Sequence, residues 1–282
     1  MSGDGRFGAR LRAAMDARGP LCVGIDPHPG LLSAWGLPDS PSGLERFTRT
    51  VVDALGDRAA VVKPQSAFFE RFGSQGIAVL ESAIRQLSES GALVLLDVKR
   101  GDIGSTAAAY ADAYLDPASP LRVDAITASP FLGFGSLTPM IEKAVETGAG
   151  VFVLALTSNP EGPAVQHAKT ADGRTVAQTI IDEVSQVNAG VSPLGDVGVV
   201  VGATIGETGH DMSSLGGPVL VPGLGAQGGR TEDLRAVFGD DLSFVLPSYS
   251  REILSQGPSV ARLRDSLDRL MDACRRTVQP IG

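Results

Sequence analysis

Eight short apolar runs recur along the 282 residues, and their spacing narrows what the chain can fold into more than any other feature. They fall at 21–25, 60–63, 92–99, 123–127, 150–156, 197–202, 219–221 and 243–246, with helical patterns such as 43–55, 76–90 and 231–238 between them. Runs that are apolar on both faces and alternate with helices suit parallel strands buried under a helical layer. Eight such units in a chain of this length predict an α/β protein, a (β/α)8 TIM barrel forming a single domain over 1–282. A short helix is expected within 1–19, where Leu11 and Met15 sit four apart. A closing helix is expected over 259–278, where Val260, Leu263, Leu267, Leu270, Met271, Cys274 and Val278 share one face. The stretch 161–196 is long for one connection and is a candidate lid.

Composition excludes several classes of partner. A hydrophobic content of 43% supports a large core, and a net charge of −8 argues against a nucleic-acid or anionic-membrane surface. An anionic substrate must therefore be drawn by local Lys and Arg. Cys22 and Cys274 lie far apart without metal-ligand spacing, as expected of a reduced cytoplasmic protein. Residues 1–19 carry arginines and no apolar core of signal-peptide length, and no segment reaches the length of a membrane span.

The third run is the most informative, because LVLLDVKRGDIGST passes from an apolar strand into alternating opposite charges within 93–106. Period-two alternation puts Leu93, Leu95, Asp97 and Lys99 on one face. Charge is tolerated in such a strand only at its carboxyl end, the edge on which barrels place their sites. Asp102 follows three residues later. A structural ion pair could plug a barrel mouth, but two acids and an ammonium within six residues exceed what a plug needs. The chain has only four lysines, Lys63, Lys99, Lys143 and Lys169. An ammonium can be tuned to donate its proton where a guanidinium cannot. Lys63 and Lys99 therefore gain weight by ending successive strands.

Other strand ends add polar groups. Asp26 closes the first run, where its carboxylate either accepts from sugar hydroxyls or starts an Asp-Pro turn. His28 beside it reads as a solvent-facing loop residue, and Phe68, Phe69 and Phe72 read as core. The seventh run ends in the glycine-rich VPGLGAQGG, and Arg251 follows the eighth. Loops after strands seven and eight commonly form a barrel's phosphate site, to which a forked guanidinium is suited.

Asp97, Lys99, Asp102, Ile103 and Thr106 match D-x-K-x-x-D-I-x-x-T, and GIDPHP, VVKPQ, TASPFLG, LTSNP and VPGLGAQGG accompany it in that order along the chain. In these motifs the chain resembles the longer bacterial branch of the orotidine 5'-phosphate decarboxylase family over almost its full length. That resemblance implies a nucleotide substrate, no cofactor or metal, and catalysis by Lys99, Asp97, Asp102 and Lys63. It also implies substrate binding by Asp26 and Lys63 at the ribose, Ser158 at the pyrimidine, Gln227 between phosphate and base, and Arg251 at the phosphate. Asp102 and Thr106 would reach into a partner subunit's site, making a homodimer with composite sites. One departure is Ser250, where many family members have glycine before the phosphate arginine.

The chemistry implied is loss of CO2 from orotidine 5'-phosphate to give UMP, the last step of pyrimidine nucleotide synthesis. The charge left at C6 lies in an orbital that the ring cannot delocalise, so fixed charge must stabilise it. Lys99 would then protonate C6, with Asp97 keeping it charged and oriented. Three alternatives stand beside this reading. A metal-dependent sugar-phosphate decarboxylase would typically carry an acid where Lys63 stands. A Schiff-base aldolase needs a neutral amine, which an adjacent Asp disfavours. A non-catalytic nucleotide-binding barrel would share the fold alone.

Overall fold

The computed structural model describes residues 5–206, 209–225 and 228–278. Eight parallel strands form a closed barrel in sequence order: β1 (Cys22–Ile25), β2 (Val61–Pro64), β3 (Leu93–Arg100), β4 (Ala125–Ala128), β5 (Gly150–Leu156), β6 (Val197–Val201), β7 (Val219–Val221) and β8 (Val245–Tyr249). Closure is made by Cys22 and Val23 of β1 against Ser248 and Tyr249 of β8. Helices connect the strands and cover the outside, so the expected (β/α)8 barrel is the fold found.

Two apolar layers hold it together. Outward-facing residues such as Val94, Leu96 and Val98 pack under the helices in one continuous core. Inward-facing Cys22, Val61, Leu95, Ala125, Phe152, Val200, Leu220 and Leu246 form a second core with Phe7, Leu11 and Met15. Those last three come from the N-terminal helix Phe7–Arg18. The helix sits so close that a Cβ on Gly8 would lie 2.0 Å from the Leu194 carbonyl oxygen. Asp196, buried at 1% exposure, accepts from the Gly8 amide at 3.0 Å and pairs with Arg6.

The eighth strand differs from its expected 243–246. It starts at Val245 and continues through Pro247 to Tyr249. A proline gives up one N–H donor but keeps an extended φ, so Pro247 still aligns with Val221 of β7. The segment 231–238 likewise divides into a 3₁₀ turn at Thr231–Asp233 and a helix at Leu234–Phe238. The candidate lid folds into a short helix Pro163–Gln166, an antiparallel bridge between Lys169 and Thr175, and the helix Val176–Asn188. A final helix spans Val260–Val278, with Cys274 buried in the core. No helix among the described residues is long and apolar enough to cross a membrane.

Candidate active site

The period of two that fills the barrel interior also sets what stands at its mouth. Stepping two residues on from Val61, Leu95, Ala125 and Leu246 reaches Lys63, Asp97, Thr127 and Ser248, all buried. One further step reaches Lys99 and Ser250. The site is thus the top layer of inward-pointing side chains, with polar groups in place of apolar ones.

Asp97 is its centre. Its Oδ1 accepts from Lys99 Nζ at 2.6 Å and from Thr127 Oγ1 at 2.8 Å, and its Oδ2 accepts from Lys63 Nζ at 3.1 Å. The side chains of Lys63 and Asp97 are 7% and 9% exposed, whereas that of Lys99 is 46% exposed. Lys99 is therefore the amine a ligand can reach. Burial disfavours the charged form of Asp97, but the ammonium groups of Lys63 and Lys99 outweigh it and hold the carboxyl well below the usual range. Burial likewise pulls Lys63 down, and the carboxylates of Asp97 and Asp26 outweigh it and hold the amine above its ordinary value. Beneath them, burial pushes the Cys22 thiol up to about 12, leaving a neutral group under the charged layer.

The β1, β7 and β8 ends enclose a recess of about 60 Å³ lined by Asp26, Lys63, Gly223, Ser248, Ser250 and Arg251, among others. Asp26 Oδ1 and Ser250 Oγ are both buried there without a hydrogen-bond partner among the described residues. Buried polar atoms are rarely left so, and here both border an open recess. Ser250 covers Gly24, where a Cβ would lie 2.7 Å from the serine's own. The glycine turn of the recess is braced by Gly225 N–H donating to the Gly229 carbonyl at 2.8 Å, with φ of 96° at Gly223 and 72° at Gly225. Gln227 lies outside the described residues.

Ser158 is exposed and borders a separate recess of about 170 Å³ with Asn159, His167, Thr204 and Ile205. Its loop is clamped by Gln166, which accepts from the Thr157 amide at 2.9 Å and donates to Thr157 Oγ1 at 2.7 Å. A groove of about 640 Å³ runs outside the barrel between helices Pro41–Leu55 and Gly73–Glu89 and holds none of the strand-end charges.

The structure therefore brings Lys63, Asp97 and Lys99 into contact and sets Asp26 and Arg251 around the same mouth. It does not bring Asp102 to them. Asp102 Oδ1 accepts from the Ile103 amide at 2.8 Å, and Asp102 makes no ion pair among the described residues. Thr106 is exposed on the following helix, Gly104–Leu115. Ile103 in the loop after β3, and Phe131 and Leu132 in the loop after β4, are exposed, at 62%, 79% and 53%. His28 is half-buried and accepts weakly from the Leu31 amide at 3.4 Å, its ring 6.2 Å from that of half-buried Phe68. Thr127 and Ser248 were missed from sequence, although each continues an inward file. Among the described residues, no group of three or more His, Cys, Asp or Glu could hold a metal ion.

Residues 19–265 match the model of the orotidine 5'-phosphate decarboxylase / HUMPS family. The chain belongs to that orotidine 5'-phosphate decarboxylase family. Orotidine 5'-phosphate decarboxylase from Salinispora tropica is 70% identical over 269 residues, covering 95% of this chain and 97% of the relative. The Streptomyces coelicolor enzyme of that name is 57% identical over 272 residues, covering 96% and 98%. A solved Streptomyces avermitilis structure, 58% identical, superposes with a TM-score of 0.95 over 97% of this chain and 96% of its own. The Leishmania donovani OMP decarboxylase structure is 30% identical with a TM-score of 0.71, covering 96% and 98%.

Proposed function

We propose that this chain decarboxylates orotidine 5'-phosphate to UMP, with Lys99 as the proton donor. The observation that carries the reading is the Lys63–Asp97–Lys99 array at the barrel mouth, beside a recess bordered by Arg251. The C6–carboxylate bond breaks heterolytically, CO2 leaves, and the electron pair remains at C6. The Lys99 ammonium lies alongside, stabilises that pair and delivers its proton to C6; solvent then restores the proton to the amine. Asp97 fixes the Lys99 amine and places a negative charge against the substrate carboxylate. Asp26 and Lys63 hold the ribose, Ser158 the pyrimidine edge, and Arg251 with Gln227 the phosphate. Remote binding at Arg251 is then available to orient and desolvate the base.

The family also includes sugar-phosphate enzymes, and two observations favour the nucleotide substrate. The relatives at 57–70% identity carry the decarboxylase name over nearly their full length. Lys63 also stands, buried and paired, where the metal-dependent alternative would typically place an acid.

We read the chain 1–282 as one barrel domain, plugged by its N-terminal helix and closed by its C-terminal one, that works as a homodimer. Asp102 and Thr106 of one copy would complete the other's site. Supporting this, Asp102 makes no ion pair with Lys63 or Lys99 of its own chain and is followed by exposed Ile103, while exposed Phe131 and Leu132 stand in the loop after the next strand. The deciding experiment follows the ultraviolet absorbance of orotidine 5'-phosphate after purified protein is added. Conversion to UMP supports the reading, and an unchanged spectrum at high enzyme concentration overturns it.

A further inference from the structure

The β3–β4 ladder is interrupted beside the array. Leu96 aligns with Ile126 and Arg100 with Ala128, so Asp97, Val98 and Lys99 face a single β4 residue, Thr127. Such a bulge re-aims side chains and leaves an amide without its ladder partner. Here the amide is that of Lys99, whose φ of 44° makes it the one non-glycine residue with positive φ among those described. A left-handed backbone at a residue with a Cβ costs on the order of 1 kcal/mol or more, so it persists only where its surroundings hold it.

Thr127 supplies the hold. Its hydroxyl oxygen accepts from the Lys99 amide at 2.9 Å, and its proton goes to Asp97 Oδ1 at 2.8 Å. That same oxygen takes the Lys99 ammonium at 2.6 Å. A hydroxyl can both accept from an amide and donate to a carboxylate through one atom. Thr127 is 1% exposed, so water does not substitute for it.

We propose that Thr127 is a positioning residue for the decarboxylation: its hydroxyl closes a ring through the Lys99 backbone, Asp97 and the Lys99 amine, and so fixes where the proton donor points. The inference rests on the reading of Lys99 given above.

The test compares T127V, which keeps the shape and loses the hydroxyl, with T127S, which keeps the hydroxyl, following kcat and inhibition by UMP. T127V is expected to lose kcat by about 10- to 100-fold, the range for one hydrogen bond to a charged group. Its UMP inhibition constant is expected to change by less than about threefold, as for a group acting in the transition state and not in binding. T127S is expected to retain most of the turnover. Equal impairment of T127S and T127V, or parallel loss of kcat and UMP binding, overturns the inference by assigning Thr127 to packing alone. K99A measured alongside separates the two readings. If K99A collapses and T127V does not, only the role of Thr127 fails; if K99A turns over normally, the proton-donor reading fails first.

Discussion

Lys99 Nζ rests 2.6 Å from Asp97 Oδ1 although the Lys99 backbone leaves the extended region at φ 44°. The pair therefore meets through a kink in the strand, and the amine it holds is the exposed member of the array. Lys99→Ala is expected to fold and bind UMP yet decarboxylate at least about 1000-fold more slowly, equivalent to about 4 kcal/mol of transition-state stabilisation. Turnover measured beside UMP inhibition checks this, and a modest loss removes Lys99 from the chemistry.

Asp97 is shared by two amines, one of them buried, so its neutral replacement has a stability signature that depends on pH. Asp97→Asn strands Lys63 without its carboxylate, an expected loss of about 3–5 kcal/mol near neutrality. In the wild type Asp97 is held below its ordinary 3.8, so its contribution is present above 3.8 and drains away as pH falls through the folded value. Lys63 is held above its ordinary 10.5, so its contribution is present below 10.5 and is lost as pH rises through the folded value. The gap between wild type and variant should be widest between 3.8 and 10.5 and narrow at both ends. Urea unfolding across a pH series measures it; a gap independent of pH would speak against an electrostatic origin.

The recess beside Arg251 allows binding to be separated from folding. Arg251 is exposed and makes no salt bridge to a carboxylate among the described residues, so the fold loses little without it. Arg251→Ala is expected to lower kcat/KM for orotidine 5'-phosphate by about 100-fold or more, the scale of a charge-assisted forked contact, with little change in melting temperature. Orotidine lacking the phosphate should show almost none of that loss. Ser250→Ala removes a buried hydroxyl that has no partner among the described residues, so stability should hold or rise slightly while UMP binds more weakly. Equal losses of stability and efficiency in Arg251→Ala would count against the phosphate role.

Much of this site was legible because charge at the end of an apolar strand has few structural reasons to be there. Alternation placed Asp97 and Lys99 on the face shared with Leu95, and the same file on β2 led to Lys63. What spacing does not encode is register between strands. The bulge opposite Thr127 is a property of the β3–β4 pair, so a threonine in an ordinary strand carried no signal of its own. Ser250 was visible only as a departure from a family pattern, because an orphaned hydroxyl exists only once β1 and β8 are side by side. The start and end of the eighth strand were misplaced because Pro247 reads as a stop in isolation, whereas a barrel neighbour tolerates its missing donor.

Asp102 is three residues from Lys99 in sequence, yet its carboxylate turns to the Ile103 amide and pairs with neither Lys63 nor Lys99 of its own chain. If the site is completed by a second copy, each active centre takes Lys99 from one subunit and Asp102 from the other. Lys99→Ala and Asp102→Asn should then each be nearly inactive alone. Mixed in equal amounts and allowed to exchange subunits, they should form hybrids in which one centre has both wild-type groups and the other neither. With half the dimers hybrid and one of two centres restored in each, activity should recover to about a quarter of wild type. A centre built within one chain gives no such recovery, because every Lys99 that survives then sits with a mutated Asp102. Subunit exchange confirmed by differently tagged chains, with activity still absent, would return Asp102 to its own chain.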